Sequence, residues 1–172
     1  MNRPLIKTLV FLVPLAFYVG LDDTYDLPKL TLLYLGALAL LGIWLGAGLK
    51  SGSLTLTRTP LDIPLAAMVA VLFVGSYFSW DRSASYFGQY GFYMFGAIPL
   101  LACAVIFQRS AASFRDPAAK DGLFRVLLGA AALCAVYAIL QYFGIELFSR
   151  VGTNPGGRVW STFGNPLYLG SY

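Results

Sequence analysis

The sequence contains no histidine. The commonest metal ligand, and the side chain best suited to moving protons near neutral pH, are thereby missing, so chemistry within these residues must draw on other groups. Cysteine is almost absent too. Cys103 and Cys134 are the only two; both fall inside apolar runs with no metal-ligand spacing, which reads them as small buried apolar residues. Only 12% of residues are charged, against about one quarter in soluble domains. No block of five like charges occurs, so the net charge of +4 does not point to nucleic acid.

What is abundant is apolar surface. Hydrophobic residues make up 58% of the chain and the mean hydropathy is +0.70. Continuous apolar runs, as opposed to alternating ones, predict helices and exclude a barrel. Crossing about 30 Å of hydrocarbon takes about 20 helical residues. The sequence therefore predicts an all-α polytopic transmembrane bundle, a single domain over 1–172. Five complete spans are expected at about 5–21, 30–49, 61–78, 91–107 and 123–143, with a sixth starting near 166. The first run follows Arg3 and Lys7 but lacks a small-x-small cleavage pattern, so it reads as a retained helix kinked at Pro14. Gly42 and Gly46 form a weak G-x-x-x-G face. Thr59-Pro60 reads as a cap and first helical residue, and Asp62 as an interfacial acid beside Arg58 rather than a functional one.

Sidedness follows from counting Lys and Arg in alternate loops. The amino end with the second and fourth loops carries eight: Arg3, Lys7, Lys50, Arg58, Arg109, Arg115, Lys120 and Arg125. The other loops carry four, Lys29, Arg82, Arg150 and Arg158, together with five of the eight acids. A cytoplasmic amino terminus and an outward-facing Arg158 are expected. All eleven tyrosines fall on the outer side or near mid-depth towards it. That distribution fits either an uneven aromatic belt or a polar ligand at the outer face.

The stretch from Arg158 to Gly170 is the polar feature with the most to explain. It follows a turn-rich segment, Gly152 to Gly157, and Asn165-Pro166 has the look of a helix cap and first residue. Arg158 is either a snorkelling charge or a fork for a phosphate or diphosphate, with Ser161, Thr162 and backbone amides adding donors. The apolar run after Asn165 stops at Tyr172, which reads as the amino-terminal part of a larger membrane domain.

The string RVWSTFGNP followed by LYLGSY resembles the signature before a membrane span in the O-antigen ligase and polymerase family, which includes protein O-oligosaccharyltransferases. Weaker likenesses are DLPKL from Asp26, TPLDIPL from Thr59 and SASYFGQY from Ser83. The resemblance implies a glycosyltransferase of the bacterial inner membrane, acting at the periplasmic face on an undecaprenyl-diphosphate-linked glycan. The acceptor would be a glycan, a lipid or a protein, the surroundings membrane lipid, and neither metal nor other cofactor is expected. By the same resemblance Arg158 would engage the lipid diphosphate, Ser161, Thr162 and Asn165 would shape the site, and Arg82 is a second candidate. The family's catalytic histidine lies in a later outer loop, so no catalytic residue is expected in this chain and these residues alone should be inactive. The rival expectation is a non-enzymatic membrane module, such as a transporter for an anionic or lipid-linked solute, in which Arg158 would guide the solute.

Overall fold

The computed structural model describes residues 2–148 and 158–172, and every regular element among them is helical. In chain order these are α1 (Asn2–Leu15), α2 (Asp26–Ser51), α3 (Asp62–Tyr77), α4 (Arg82–Phe87), a 3₁₀ turn (Tyr93–Phe95), α5 (Ala97–Ser113), α6 (Pro117–Tyr142), a second 3₁₀ turn (Ser161–Phe163) and α7 (Pro166–Ser171). The turns expected at 152–157, and Arg150, lie outside the described residues.

Short polar side chains set several of the helix starts. The Asp23 carboxylate accepts from the amides of Tyr25 (3.2 Å) and Asp26 (2.8 Å) just ahead of α2. Asp81 accepts from Ala84 N–H at the start of α4, and Asp116 from Ala119 N–H at the start of α6. In each case a carboxylate satisfies an amide that has no intrahelical acceptor. Thr59 and Asp62 also meet, but in the reverse sense from the expected cap: both the Thr59 amide and its hydroxyl donate to Asp62, and α3 starts at Asp62.

The five-span expectation is not met. Among the described residues, α2 and α6, each of 26 residues, are the two helices long and apolar enough to cross a membrane. The 16 residues of α3 rise only about 24 Å at 1.5 Å per residue, and the 17 residues of α5 about 26 Å. α1 stops at Leu15 instead of continuing to residue 21. Its last carbonyls are taken from outside: Pro14 O accepts from the Thr162 hydroxyl, Ala16 O from the Lys29 ammonium, and Tyr18 N–H turns away to Thr24 O. α5 starts at Ala97 and not near 91 because the preceding chain doubles back. Gly88 and Gly91 have positive φ (82° and 76°), and a Cβ on Gly96 would sit 2.5 Å from the Gly88 nitrogen, an approach only glycine permits. α7 holds six residues.

Packing is organised around α1, which touches α2, α5 and α6, while α5 lies between α2 and α3. Ile6, Leu9, Leu40, Phe114 and Ala119 form the buried core. The contacts fix directions. Arg3 reaches Ser113 and Asp116 while Pro14 meets Cys134, so α1 and α6 run parallel. Leu9 packs on Gly36 and Lys29 meets Ala16, so α2 runs opposite to α1. The basic residues at the start of α1, the end of α2, the end of α5 and the start of α6 therefore gather at one end of the bundle. The acidic turn at 22–26 and the 3₁₀ turn at 161–163 occupy the other.

Within the most apolar stretches of α2 and α6, 17% and 22% of residues are buried, where the core helix of a soluble protein would be mostly buried. Both helices present apolar faces outward, Leu35, Leu38, Leu128 and Val136 among them, and such faces mark a surface that meets a membrane or another protein.

At the basic end, the Ala119 amide and then the Arg3 guanidinium hold the Asp116 carboxyl below its usual range. A carboxyl depressed on folding adds stability above its unfolded value of about 4 that is lost as pH falls through the lower folded value. Thermal unfolding in detergent should show a lower Tm at pH 3 than at pH 7. Asp116→Asn should lower the Tm at pH 7 and shrink that acid-induced drop; an undiminished drop would assign the acid sensitivity to other groups.

Candidate functional site

The 3₁₀ turn at Ser161–Phe163 is clamped across the ends of three helices. Ser161 is fully buried and Thr162 nearly so. The Ser161 hydroxyl donates to Cys134 O (2.7 Å) and its amide to Gln141 Oε1 (2.7 Å), tying the turn to α6. The Thr162 hydroxyl donates to Pro14 O (2.7 Å), tying it to α1. Ser161 has φ of 51°, an uncommon conformation for a side chain with a Cβ, held here by bonds from both its amide and its hydroxyl.

Lys29 completes the clamp. Its ammonium, one turn inside α2, donates to Ala16 O (2.7 Å), Thr162 O (2.6 Å) and Tyr25 O (3.3 Å). Three donors meet three carbonyls, which is all an ammonium can do. The nitrogen also lies 5.7 Å from the Tyr25 ring centre and 5.5 Å from that of Phe163, within cation–π range. A cation near a helix start opposes that helix's own dipole; the carbonyls at the end of α1 offset this. Around it, Phe17 stacks with Tyr25 and Tyr137 and meets Phe148 edge-on at 4.7 Å. The Tyr137 hydroxyl and the Gln141 amide both donate to Glu146.

Beside the clamp lie two adjoining cavities. One, of about 380 Å³, is lined by Asp22, Asp23, Asp26, Tyr90, Asn165 and Tyr168 among others. The second, of about 210 Å³, lies deeper, against Lys29, Leu33, Met94 and Phe95. They share Asp26, Gly91, Phe92, Phe163 and Tyr168. Tyr90 closes one side by donating its hydroxyl to Asp22 O at 3.1 Å. Carboxylates on the rim accept hydrogen bonds from hydroxyl groups, and aromatic rings offer flat apolar faces. The combination is suited to a polyhydroxylated or cationic guest and ill suited to a free anion.

The expected site residues are distributed unevenly over this arrangement. Asn165 caps α7 by accepting from Leu167 N–H (2.9 Å) and also lines the larger cavity. Ser161 and Thr162 lie beneath the cavities with their hydroxyls spent on helix carbonyls, so they shape the site by fixing the turn. Arg158 is exposed at the start of the described segment. Arg82 is exposed on α4, its guanidinium 5.1 Å from the Tyr77 ring centre, and does not line either cavity. Lys29, the acidic turn and Tyr90 were not singled out from sequence as site residues. The available signal for Lys29 was a lone lysine one turn into an apolar helix, at the end its dipole disfavours. Among the described residues no cluster of three or more potential metal-ligating side chains occurs.

Replacing Lys29 by Met keeps the length and removes the donors, leaving three carbonyls short of a partner; the cost should be about 3 kcal/mol, read as a lower Tm, with Lys29→Arg recovering part of it. Gly164 has φ of 69°, and a Cβ there would sit 2.3 Å from the Tyr25 ring. Gly164→Ala should therefore destabilise by about 1–3 kcal/mol, and a variant as stable as the parent would show that the turn can move off Tyr25.

No protein-family model, curated protein or solved structure matches this chain.

Proposed function

We propose that the chain is a membrane-embedded module of a glycan-transferring enzyme of the O-antigen ligase and polymerase type, with α2 and α6 crossing the bacterial inner membrane. The observation that carries this is the built structure of the RVWSTFGNP string. The string does not form a loose surface loop; it locks α1, α2 and α6 together beside a cavity rimmed by carboxylates and aromatic rings. Sugar hydroxyls donate to carboxylates and sugar rings pack on aromatic faces, so the cavity wall suits part of a glycan.

Charge supports the orientation. The end holding Arg3, Lys7, Lys50, Arg109, Arg115, Lys120 and Arg125 would be cytoplasmic, because short loops rich in Lys and Arg are retained there. The clamp and its cavities would then face the periplasm, where a lipid-linked glycan is presented. Within this reading Arg158, at the mouth of the signature string, engages the diphosphate of an undecaprenyl-linked donor through its planar fork. Ser161 and Thr162 keep the turn in place, and Asn165 holds the start of α7 at the cavity edge. The reacting bond would be broken by groups outside these residues.

Arg158→Ala, introduced into the gene in its native host, should lower glycan transfer to the acceptor by about 100-fold or more, the loss typical when one donor to developing charge is removed. Membrane insertion and protein level should stay unchanged. Glycan ladders resolved on gels report the transfer; undiminished ladders would remove Arg158 from the site. A gene deletion without any glycan phenotype would favour the transporter reading instead.

A further inference from the structure

At the opposite end from the clamp, a groove of about 470 Å³ runs between α2, α3 and α5, a size typical of ligand pockets at about 300–1,000 Å³. Leu41, Leu65, Val69, Phe73, Leu101 and Val105 give it apolar walls. One end is different. There Trp44, Gln108 and Arg109 line it, and Arg109 is only 5% exposed.

Arg109 is a buried cation without a carboxylate against it. The one ion pair among the described residues joins Arg3 to Asp116. Asp62 lines the same groove, but its oxygens are occupied by the amide and hydroxyl of Thr59, each at 2.7 Å. The Arg109 guanidinium lies 4.8 Å from the Trp44 ring centre and donates to Gln108 Oε1. A guanidinium carries five N–H donors, so these contacts leave capacity for an anion. Burying a cation uncompensated is costly, and an anion entering beside Arg109 removes that cost. Arg58, just ahead of α3, lies within electrostatic range of Asp62 in the groove lining and adds positive potential that favours acidic headgroups.

We propose that this groove is a binding site for an anionic phospholipid, with one acyl chain along the apolar walls and the headgroup phosphate against Arg109, whose neighbour Gln108 is held by donating to Thr57 O. The site rests on the membrane placement of α2 and α6 and is independent of glycan transfer. It is distinct from the clamp cavities, which are acid-rimmed and lie at the other end of α2. Bound lipid would fill the space between α3 and the rest of the bundle and so hold α3 in place.

The test is native mass spectrometry of the full chain, purified from membranes in mild detergent and mixed with phosphatidylglycerol or phosphatidylcholine of matched chains. Retention of phosphatidylglycerol should exceed that of phosphatidylcholine about tenfold, equivalent to about 1.4 kcal/mol. Arg109→Gln should abolish the preference. Ala104→Phe, which fills the groove wall without touching the charge, should reduce retention of both lipids and decides the matter if the Arg109 variant fails to fold. Soluble glycerol phosphate should not compete, since it lacks the chain; competition by it would reduce the site to a phosphate site and overturn the lipid assignment. Equal retention of the two lipids, a preference that survives Arg109→Gln, or a lipid-free dimer seated through this face would also overturn it. A chain recovered from membranes without bound lipid refutes only this site, whereas a chain that does not fractionate with membranes refutes the membrane reading as well.

Discussion

The ammonium of Lys29 ties together three segments of chain by donating to a backbone carbonyl in each. It takes one carbonyl from the chain just past α1, one from the turn leading into α2 and one from the 3₁₀ turn at 161–163. In an apolar setting an unpaired carbonyl is expensive, and a cation with three donors offsets three at once. The rest of the acidic end follows from this arrangement. α1 stops at Leu15 because its last carbonyls have partners elsewhere, the signature string is drawn against α6, and the space left between the 22–26 turn, the 90–95 segment and α7 becomes a cavity.

The two ends of the bundle use charge in opposite ways. At the acidic end the cation is fully coordinated by backbone, and the carboxylates of Asp22, Asp23 and Asp26 line a cavity. At the basic end Arg3 and Asp116 neutralise one another at the surface, while Arg109 is buried beside Trp44 and Gln108 without an acid. Both patterns depend on helix direction, since α1 and α6 run parallel and α2 runs opposite to them, which sorts acids and bases to different ends. A chain of this composition has few charges to place, so each one has a large effect on what can bind nearby.

Much of the fold was legible as pattern, and less as length. Apolar runs marked the positions of the main helices, and Asn165-Pro166 was correctly expected as a helix start because capping is a local matter of one side chain and an amide two residues on. The five spans were not legible. An apolar run shows that a segment avoids water without showing how many of its residues are helical, and residues 16–21 and 91–96 are apolar or aromatic yet turn. Glycines at 88, 91 and 96 allow the second of these turns, and partners far along the chain impose the first.

The sequence by itself determined an all-helical, strongly apolar chain with its bases and acids in alternating connections, because hydropathy and charge order are properties of neighbouring residues. Only the tertiary structure decided that, among the described residues, two helices and not five reach membrane-spanning length, and that Ser161 and Thr162 brace helices instead of facing a cavity. It also decided that Lys29, an ordinary loop base on paper, is the hub. The reason is physical: the carbonyls that Lys29 and the 161–163 turn engage are brought together by residues as far apart as Lys29 and Thr162, a separation no local pattern encodes.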